Sequence, residues 1–386
     1  MSFTRTAATV GLVAAASLVL AGCSAGGGGS DTIKFAVAGP MSGENAVYGE
    51  TQVNGIQLAV DEINADGGID GKQVELEMFD DECDPTTAAN VASRIVSDGG
   101  FEAVLGHVCS SATLAADPVY ERAGLSLISG SSTSPAVSQQ GFTNFSRTIP
   151  TDDIQGAQMI DFAAEELGKS KIAIVYASDD YGQGLYEAAV DQAEEAGVDI
   201  VSAETFVPNE TKDFSSILTK TSASDPDVLL LFGYYNDMGT LVTQISGSLA
   251  SVDKVASAGT AQPDYVSLGG AAAEGTYLLA FYDPSSPFPA NEKYVAAYEK
   301  AYGGEEPNEQ AAYWYEVPYI VKSAIEDHGG TKETLTEAIH ATTYEGPTGK
   351  TAFEDDGDVT GKTGVVARVT DGVITLDPEL TTKFAQ

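Results

Sequence analysis

The sequence predicts an α/β fold of two doubly wound parallel-sheet lobes. Three observations predict it. β-prone and helix-prone segments alternate from Asp31 to about Ile128, and the alternation restarts after Pro150. Residues 31–386 are long for one compact core and comfortable for two. A βαβαβ succession implies a parallel sheet with helices on both faces.

The first run opens with Ile33–Ala38, a short β-prone segment. Tyr48–Asp66 then carries apolar residues at Val53, Ile56, Ala59, Val60 and Ile63, a helical stripe that Gly67-Gly68 stops. Val74–Phe79 alternates apolar and acidic residues as a strand. Pro85–Asp98 reads as a helix, with Pro85 suited to the first turn. Ala103–Leu105 is a strand, Thr113–Ala123 a helix and Leu125–Ile128 a strand. In the second run Asp152–Leu167 is a helix, Ile172–Tyr176 a strand and Leu185–Ala196 a helix closed by Gly197. Strands Val201–Phe206 and Val228–Phe232 flank a helix at Phe214–Thr221, and Asp237–Ile245 is helical. Tyr277–Phe281 is a further strand, followed by helices at Glu292–Tyr302, Gln310–Glu326 and Glu333–Ala341. Val365–Val369 and Val373–Leu376 are short closing strands.

Charge narrows the partners. The chain has 57 acidic and 19 basic residues, a formal charge of -38. Such a surface repels nucleic acid and anionic lipid, and it keeps the protein soluble. After the N-terminal region no segment approaches the roughly 18 continuous apolar residues of a spanning helix.

The N-terminus supplies an address. Arg5 precedes an apolar run, Ala7 to Leu20, which is short, Ala-rich and ends in small residues, as a secretory signal does. Leu20-Ala21-Gly22-Cys23 resembles a bacterial lipoprotein cleavage site. Residues 1–22 then form the signal peptide, Cys23 carries the lipid, and the Gly-rich residues 23–30 form a flexible tether. The expectation is an extracytoplasmic body, lipid-anchored to the outer face of the cell membrane. An ordinary signal peptide with an incidental cysteine is the alternative. If Cys23 is lipidated, Cys83 and Cys109 are the two cysteines left, as a disulfide or as buried free thiols. Two cysteines and the scattered His107, His328 and His340 offer no metal site, and no cofactor is expected.

In open parallel sheets the binding crevice lies beyond the carboxyl ends of the strands. The segments there are 39–43, 106–111, 129–133, 177–182 and 233–237. They share small residues, hydroxyls and single tyrosines. Hydroxyl residues at helix starts leave backbone N–H groups free for an anion such as a carboxylate. Tyrosines give flat apolar walls with a polar tip.

The same loops resemble those of the leucine/isoleucine/valine-binding proteins, the solute receptors of ABC importers. The resemblance spans nearly all of residues 31–386. It rests on Ala38-Gly39-Pro40-Met41-Ser42-Gly43 with Tyr48-Gly49, on Asn64-Ala65-Asp66-Gly67-Gly68-Ile69, and on Asp80-Asp81-Glu82-Cys83-Asp84-Pro85. Gly106-His107-Val108-Cys109-Ser110-Ser111, Tyr181-Gly182-Gln183-Gly184 and Lys212-Asp213-Phe214-Ser215 extend it. It implies the type I periplasmic-binding-protein fold, two lobes joined by a three-strand hinge that close on a ligand. One lobe would comprise residues 31–151 and 281–359, the other 152–280 and 360–386. The resemblance also implies a Cys83–Cys109 disulfide. It places the ligand α-carboxylate on Ser110 and Thr133, the ligand ammonium on the Ser131 carbonyl, and aromatic walls at Tyr48, Tyr181 and Tyr234. It implies partners as well: a small-molecule ligand, and permease and ATPase subunits on separate chains.

One departure bears on the ligand. The family pairs the ammonium with an acid after the strand around Val255, where this chain reads Ala256-Ser257-Ala258-Gly259-Thr260-Ala261-Gln262-Pro263. Asp264 is the nearest carboxylate, a possible ligand contact or a cap of the next helix. The expected cargo is a branched-chain or related amino acid. The alternatives are a carboxylate without an ammonium, an amide or urea-type ligand, or a sensor built on the same lobes. An enzyme is not expected: Ser110 or Ser111 with His107 lacks a G-x-S-x-G elbow, and the spacing does not position a base.

Overall fold

The computed structural model describes residues 32–362 and 364–384. The signal, tether and lipidation assignments, Cys23 included, lie outside the described residues.

The first run of elements is β1 (Thr32–Gly39), α1 (Ala46–Ala65), β2 (Gln73–Asp80), α2 (Pro85–Asp98), β3 (Ala103–Leu105), α3 (Ser110–Ala123), β4 (Ser126–Ser129), α4 (Pro135–Ser138) and β5 (Phe145–Arg147). Its strands pair in parallel in the order β2-β1-β3-β4-β5. Position in the sheet explains their composition. β3 and β4 are interior strands and buried at every residue, whereas the edge strand β2 alternates and exposes its acids.

The second run is α5 (Asp152–Asp161), β6 (Lys171–Ala177), α6 (Asp180–Ala196), β7 (Asp199–Phe206), α7 (Ser215–Ala223), β8 (Val228–Phe232), α8 (Tyr235–Gln244), β9 (Asp253–Ala256), α9 (Pro263–Gly269) and β10 (Tyr277–Ala280). There follow α10 (Pro289–Ala301), α11 (Glu309–Glu326) and α12 (Leu335–Ala341), then β11 (Tyr344–Gly346), β12 (Gly349–Phe353), β13 (Val359–Thr360), β14 (Val365–Thr370), β15 (Val373–Leu376) and α13 (Pro378–Phe384). The second sheet runs β15-β14-β10-β9-β8-β6-β7. It is parallel from β7 to β10, and β14 and β15 add antiparallel at its far edge. Its interior strand β8, Val-Leu-Leu-Leu-Phe, is buried throughout.

The chain passes between these two α/β lobes three times: between β5 and α5, between β10 and α10, and between β13 and β14. After the second crossing α11 packs along α1, while α12 meets β4, β5 and β12. These are the two parallel-sheet lobes of the type I periplasmic-binding-protein fold.

Several helices begin earlier than their apolar stripes suggest. α3 starts at Ser110 rather than Thr113, α6 at Asp180 rather than Leu185, and α8 at Tyr235 rather than Asp237. Polar first turns carry no stripe, so periodicity cannot see them; for α6 the start is made by Asp179, whose carboxylate accepts the Gly182 N–H at 3.0 Å. α5 gives way to a π-turn at Phe162–Glu166 instead of continuing to Leu167. β5, α4, the small sheet of β11, β12 and β13, and α13 have no counterpart in the sequence reading. They are short, and β5 reads Phe-Ser-Arg, a polar tripeptide that only tertiary burial makes a strand.

Candidate functional site

Strand order determines where a crevice can open. β1 pairs with β2 on one side and β3 on the other, so the loops leaving β1 and β3 diverge. β6 stands in the same position between β7 and β8. The loops after β1, β3 and β4 face those after β6, β8 and β9 around one space. Two glycines allow these loops their tight starts. A Cβ on Gly106 would stand 2.4 Å from the Ala38 carbonyl oxygen, and one on Gly182 2.2 Å from that of Ala177.

All six ligand positions expected from the sequence, Tyr48, Ser110, Ser131, Thr133, Tyr181 and Tyr234, line this one space. Ser110 is the first residue of α3, so the opening N–H groups of that helix have no intrahelical carbonyl. The Ser110 Oγ accepts the Ser134 N–H at 3.2 Å, which leaves its own proton to donate. Ser131 and Ser132 donate their N–H groups to Ser129 Oγ at 3.1 and 2.9 Å, shaping the turn after β4. Among the described residues nothing donates to the Ser131 carbonyl. The Thr133 carbonyl accepts the Asp152 N–H at 2.9 Å, anchoring that turn to the start of α5.

The tyrosines form one aromatic wall. The Tyr234 ring lies 5.3 Å from Tyr181 and 6.0 Å from Tyr48, centroid to centroid. Tyr181 donates to Ser257 Oγ and accepts the Gly259 N–H, both at 3.0 Å. Tyr234 donates to the Asp179 carboxylate at 2.5 Å. Tyr48 donates to the Gly259 carbonyl and accepts the Tyr235 N–H at 3.3 Å. Burial raises all three phenols above their ordinary range, so they act as neutral donors.

Asp264 does not line the space. It sits in the first turn of α9, whose N-cap residue is Gln262, so Asp264 is not the cap either. Every residue that does line the space is uncharged. The nearby acids lie behind the wall. Burial pushes the Asp152 and Asp179 carboxyls up, with the Tyr234 hydroxyl opposing the shift at Asp179.

The Cys83–Cys109 disulfide is formed, with Cα atoms 5.4 Å apart. Cys109 is the residue before α3, so the bond ties the Ser110 loop to the segment after β2. His107 is fully buried between Asp81, 2.5 Å from its Nδ1, and the Tyr120 hydroxyl, 3.1 Å from its Nε2. It orients the loop and contacts neither Ser110 nor Ser111 through a ring nitrogen.

Sequence reasoning missed Gln155, Phe281 and Gln310, which line the space together with Val108, Cys109, Ile149, Ala258 and Gly259. Gln155 joins elements, donating to the Leu279 carbonyl at 3.4 Å and accepting the Ala258 N–H at 3.3 Å. Its place after a hinge proline was the available signal; Gln310, in the polar first turn of α11, offered none.

Comparison with known proteins places the fold in a family. The model of the periplasmic binding protein family matches residues 32–373. The leucine-, isoleucine-, valine-, threonine- and alanine-binding protein of Pseudomonas aeruginosa is 31% identical over 345 residues, covering 89% of this chain and 91% of that protein. The crystal structure of a leucine-binding protein from Thermotoga maritima matches with a TM-score of 0.83 and 28% identity, over 89% of this chain and 97% of that one. The branched-chain amino acid transporter substrate-binding protein of Streptococcus pneumoniae, solved with isoleucine, matches with a TM-score of 0.82 and 30% identity, over 90% of this chain and 99% of that one.

Proposed function

The chain belongs to the periplasmic binding protein family, and from that premise we propose that it captures a branched-chain or related amino acid between its lobes and delivers it to an ABC permease. It is an extracytoplasmic, non-catalytic solute-binding protein, and its partners are a small amino-acid-like ligand and the permease and ATPase subunits of an ABC importer. One observation carries the reading of the ligand: hydroxyls, a helix start and tyrosines from the loops of two separate sheets converge on one space.

In this reading Ser110, Thr133 and the opening amides of α3 hold the ligand carboxylate, an anion at a helix N-terminus. The Ser131 carbonyl faces the amino group. Tyr48, Tyr181 and Tyr234 wall the apolar side chain. Closure brings residues 31–151 and 281–359 onto 152–280 and 360–386, and the closed form is what the permease recognises. A lipid on Cys23 keeps the receptor beside that permease; metabolic labelling with a tritiated fatty acid should mark the wild type and not Cys23→Ala.

Calorimetry tests the site. Ser110→Ala and Thr133→Ala should each cost about 1–3 kcal/mol of binding, the penalty of a buried partner left unpaired. Wild-type affinity in both variants would remove the carboxylate clamp. The uncharged lining favours one second reading, a ligand without an ammonium. A panel of leucine, isoleucine, valine, phenylalanine, their deaminated acids, simple amides and urea decides between them by thermal shift. Uptake of labelled ligand by a deletion strain separates transport from sensing.

A further inference from the structure

We propose that Gln310 is the residue that reads the ligand's amino group, its side-chain carbonyl serving where a charged acceptor is absent. The inference rests on the amino-acid reading above and deepens it.

Three observations lead there. The lining is uncharged throughout, so an amino group entering the space meets no carboxylate in the wall. Gln310 lines the space, is 5% exposed, and its Oε1 accepts no hydrogen bond. The other polar side chains of the lining already bond to the protein or are hydroxyls suited to donate: Gln155 uses both ends of its amide, and Tyr181 and Tyr234 donate to Ser257 and Asp179. Gln310 is thus the amide of the wall whose carbonyl oxygen is spare. Buried acceptors are rarely left alone in folded proteins, and one that faces a binding space is complementary to an N–H donor.

The support for Gln310 is rigid. It sits in the first turn of α11, which Asn308 caps by accepting the Ala311 N–H at 2.9 Å. The Asn308 amide also donates to Gln262 Oε1 at 2.7 Å, tying the turn to the loop before α9. Glu309, next to Gln310 and outside the lining, accepts the Phe281 N–H on Oε2, 2.5 Å away, while its Oε1 accepts no hydrogen bond. The Ser131 carbonyl, also without a donor among the described residues, supplies a second acceptor from the opposite side of the sequence. Two neutral acceptors bind an ammonium less tightly than a carboxylate does. The site should therefore discriminate less sharply between an amino acid and its deaminated acid than a site with an acid in the wall.

The test is the ratio of Kd values for 4-methylpentanoate and leucine, measured by calorimetry on the full-length protein. Gln310→Leu should lower that ratio about tenfold or more by weakening leucine, with 4-methylpentanoate changed by no more than about threefold. Gln310→Glu should raise it. A ratio equal to wild type in either variant overturns the assignment while leaving the receptor reading intact. If Gln310→Leu does not fold, as circular dichroism would report, Gln310→Glu alone decides. A wild type that binds neither leucine, isoleucine nor valine overturns the amino-acid reading itself, and the role of Gln310 falls with it.

Discussion

The Tyr48 hydroxyl on α1 donates to the carbonyl of Gly259 in the loop after β9, joining the two lobes across the binding space. The contact is one of several between facing loops. Ser111 donates to the Asp180 carboxylate, Tyr235 donates to the Glu44 carbonyl at 2.8 Å, and Lys212 pairs with Glu44 at 2.5 Å. Tyr48→Phe removes the crossing hydroxyl and keeps the ring. Binding should weaken by about 1 kcal/mol, near fivefold, with unfolding of the unliganded protein little changed. Calorimetry gives the affinity. Unchanged affinity would show that the crossing bond does not help closure.

Arg147 is the buried cation that shapes the Thr133 turn. It is fully buried; its Nε donates to Asp358 at 2.6 Å, and its Nη1 to the Ser132 and Ser134 carbonyls at 2.9 and 3.0 Å. Arg147→Met strips two carbonyls and a carboxylate of their partner at once. Denaturant unfolding should show a loss of about 3 kcal/mol or more, as for other broken buried pairs. Ligand affinity should fall as well, because the same carbonyls flank Thr133. Full stability in the variant would mean that the turn holds without the cation.

The disulfide spans 26 residues of sequence and ends one residue before Ser110. Closing such a loop restricts the unfolded chain and contributes about 3 kcal/mol in the chain-entropy account. Replacing both cysteines with serine should lower the thermal midpoint and weaken ligand binding, since the α3 start loses its tie. A lower midpoint with unchanged affinity would assign the bond to stability alone.

Three of the buried carboxyls contribute a pH dependence that reaches to neutrality. Burial pushes Asp117, Asp237 and Glu309 up to about 7, while ordinary carboxyls in an unfolded chain titrate near 4. Between those limits the folded state holds protons that the unfolded state has released. Their contribution to stability therefore falls as pH rises from about 4 to about 7 and levels off above. The thermal midpoint should be higher at pH 5 than at pH 8. Asp117→Asn, which keeps the neighbour Asn144 but cannot ionise, should flatten part of that slope. A slope identical to wild type would exclude Asp117 as a contributor.

The sequence by itself determined the two α/β runs, because burial on both faces of a parallel strand writes a continuous apolar word such as Val228–Phe232. It also marked the strand-end loops that carry Ser110, Ser131, Thr133, Tyr181 and Tyr234, since small and hydroxyl residues mark those turns; Tyr48, inside α1, came from the family resemblance alone. Tertiary structure alone decided three things. It set Ser110 at the first residue of α3, because a capped polar turn has no periodicity. It made Phe145-Ser146-Arg147 a strand, because Arg147 is neutralised by Asp358, more than two hundred residues away. It brought Gln310 into an uncharged wall and left Asp264 outside it, because which side chains face one space depends on how distant segments pack, and no local pattern records that.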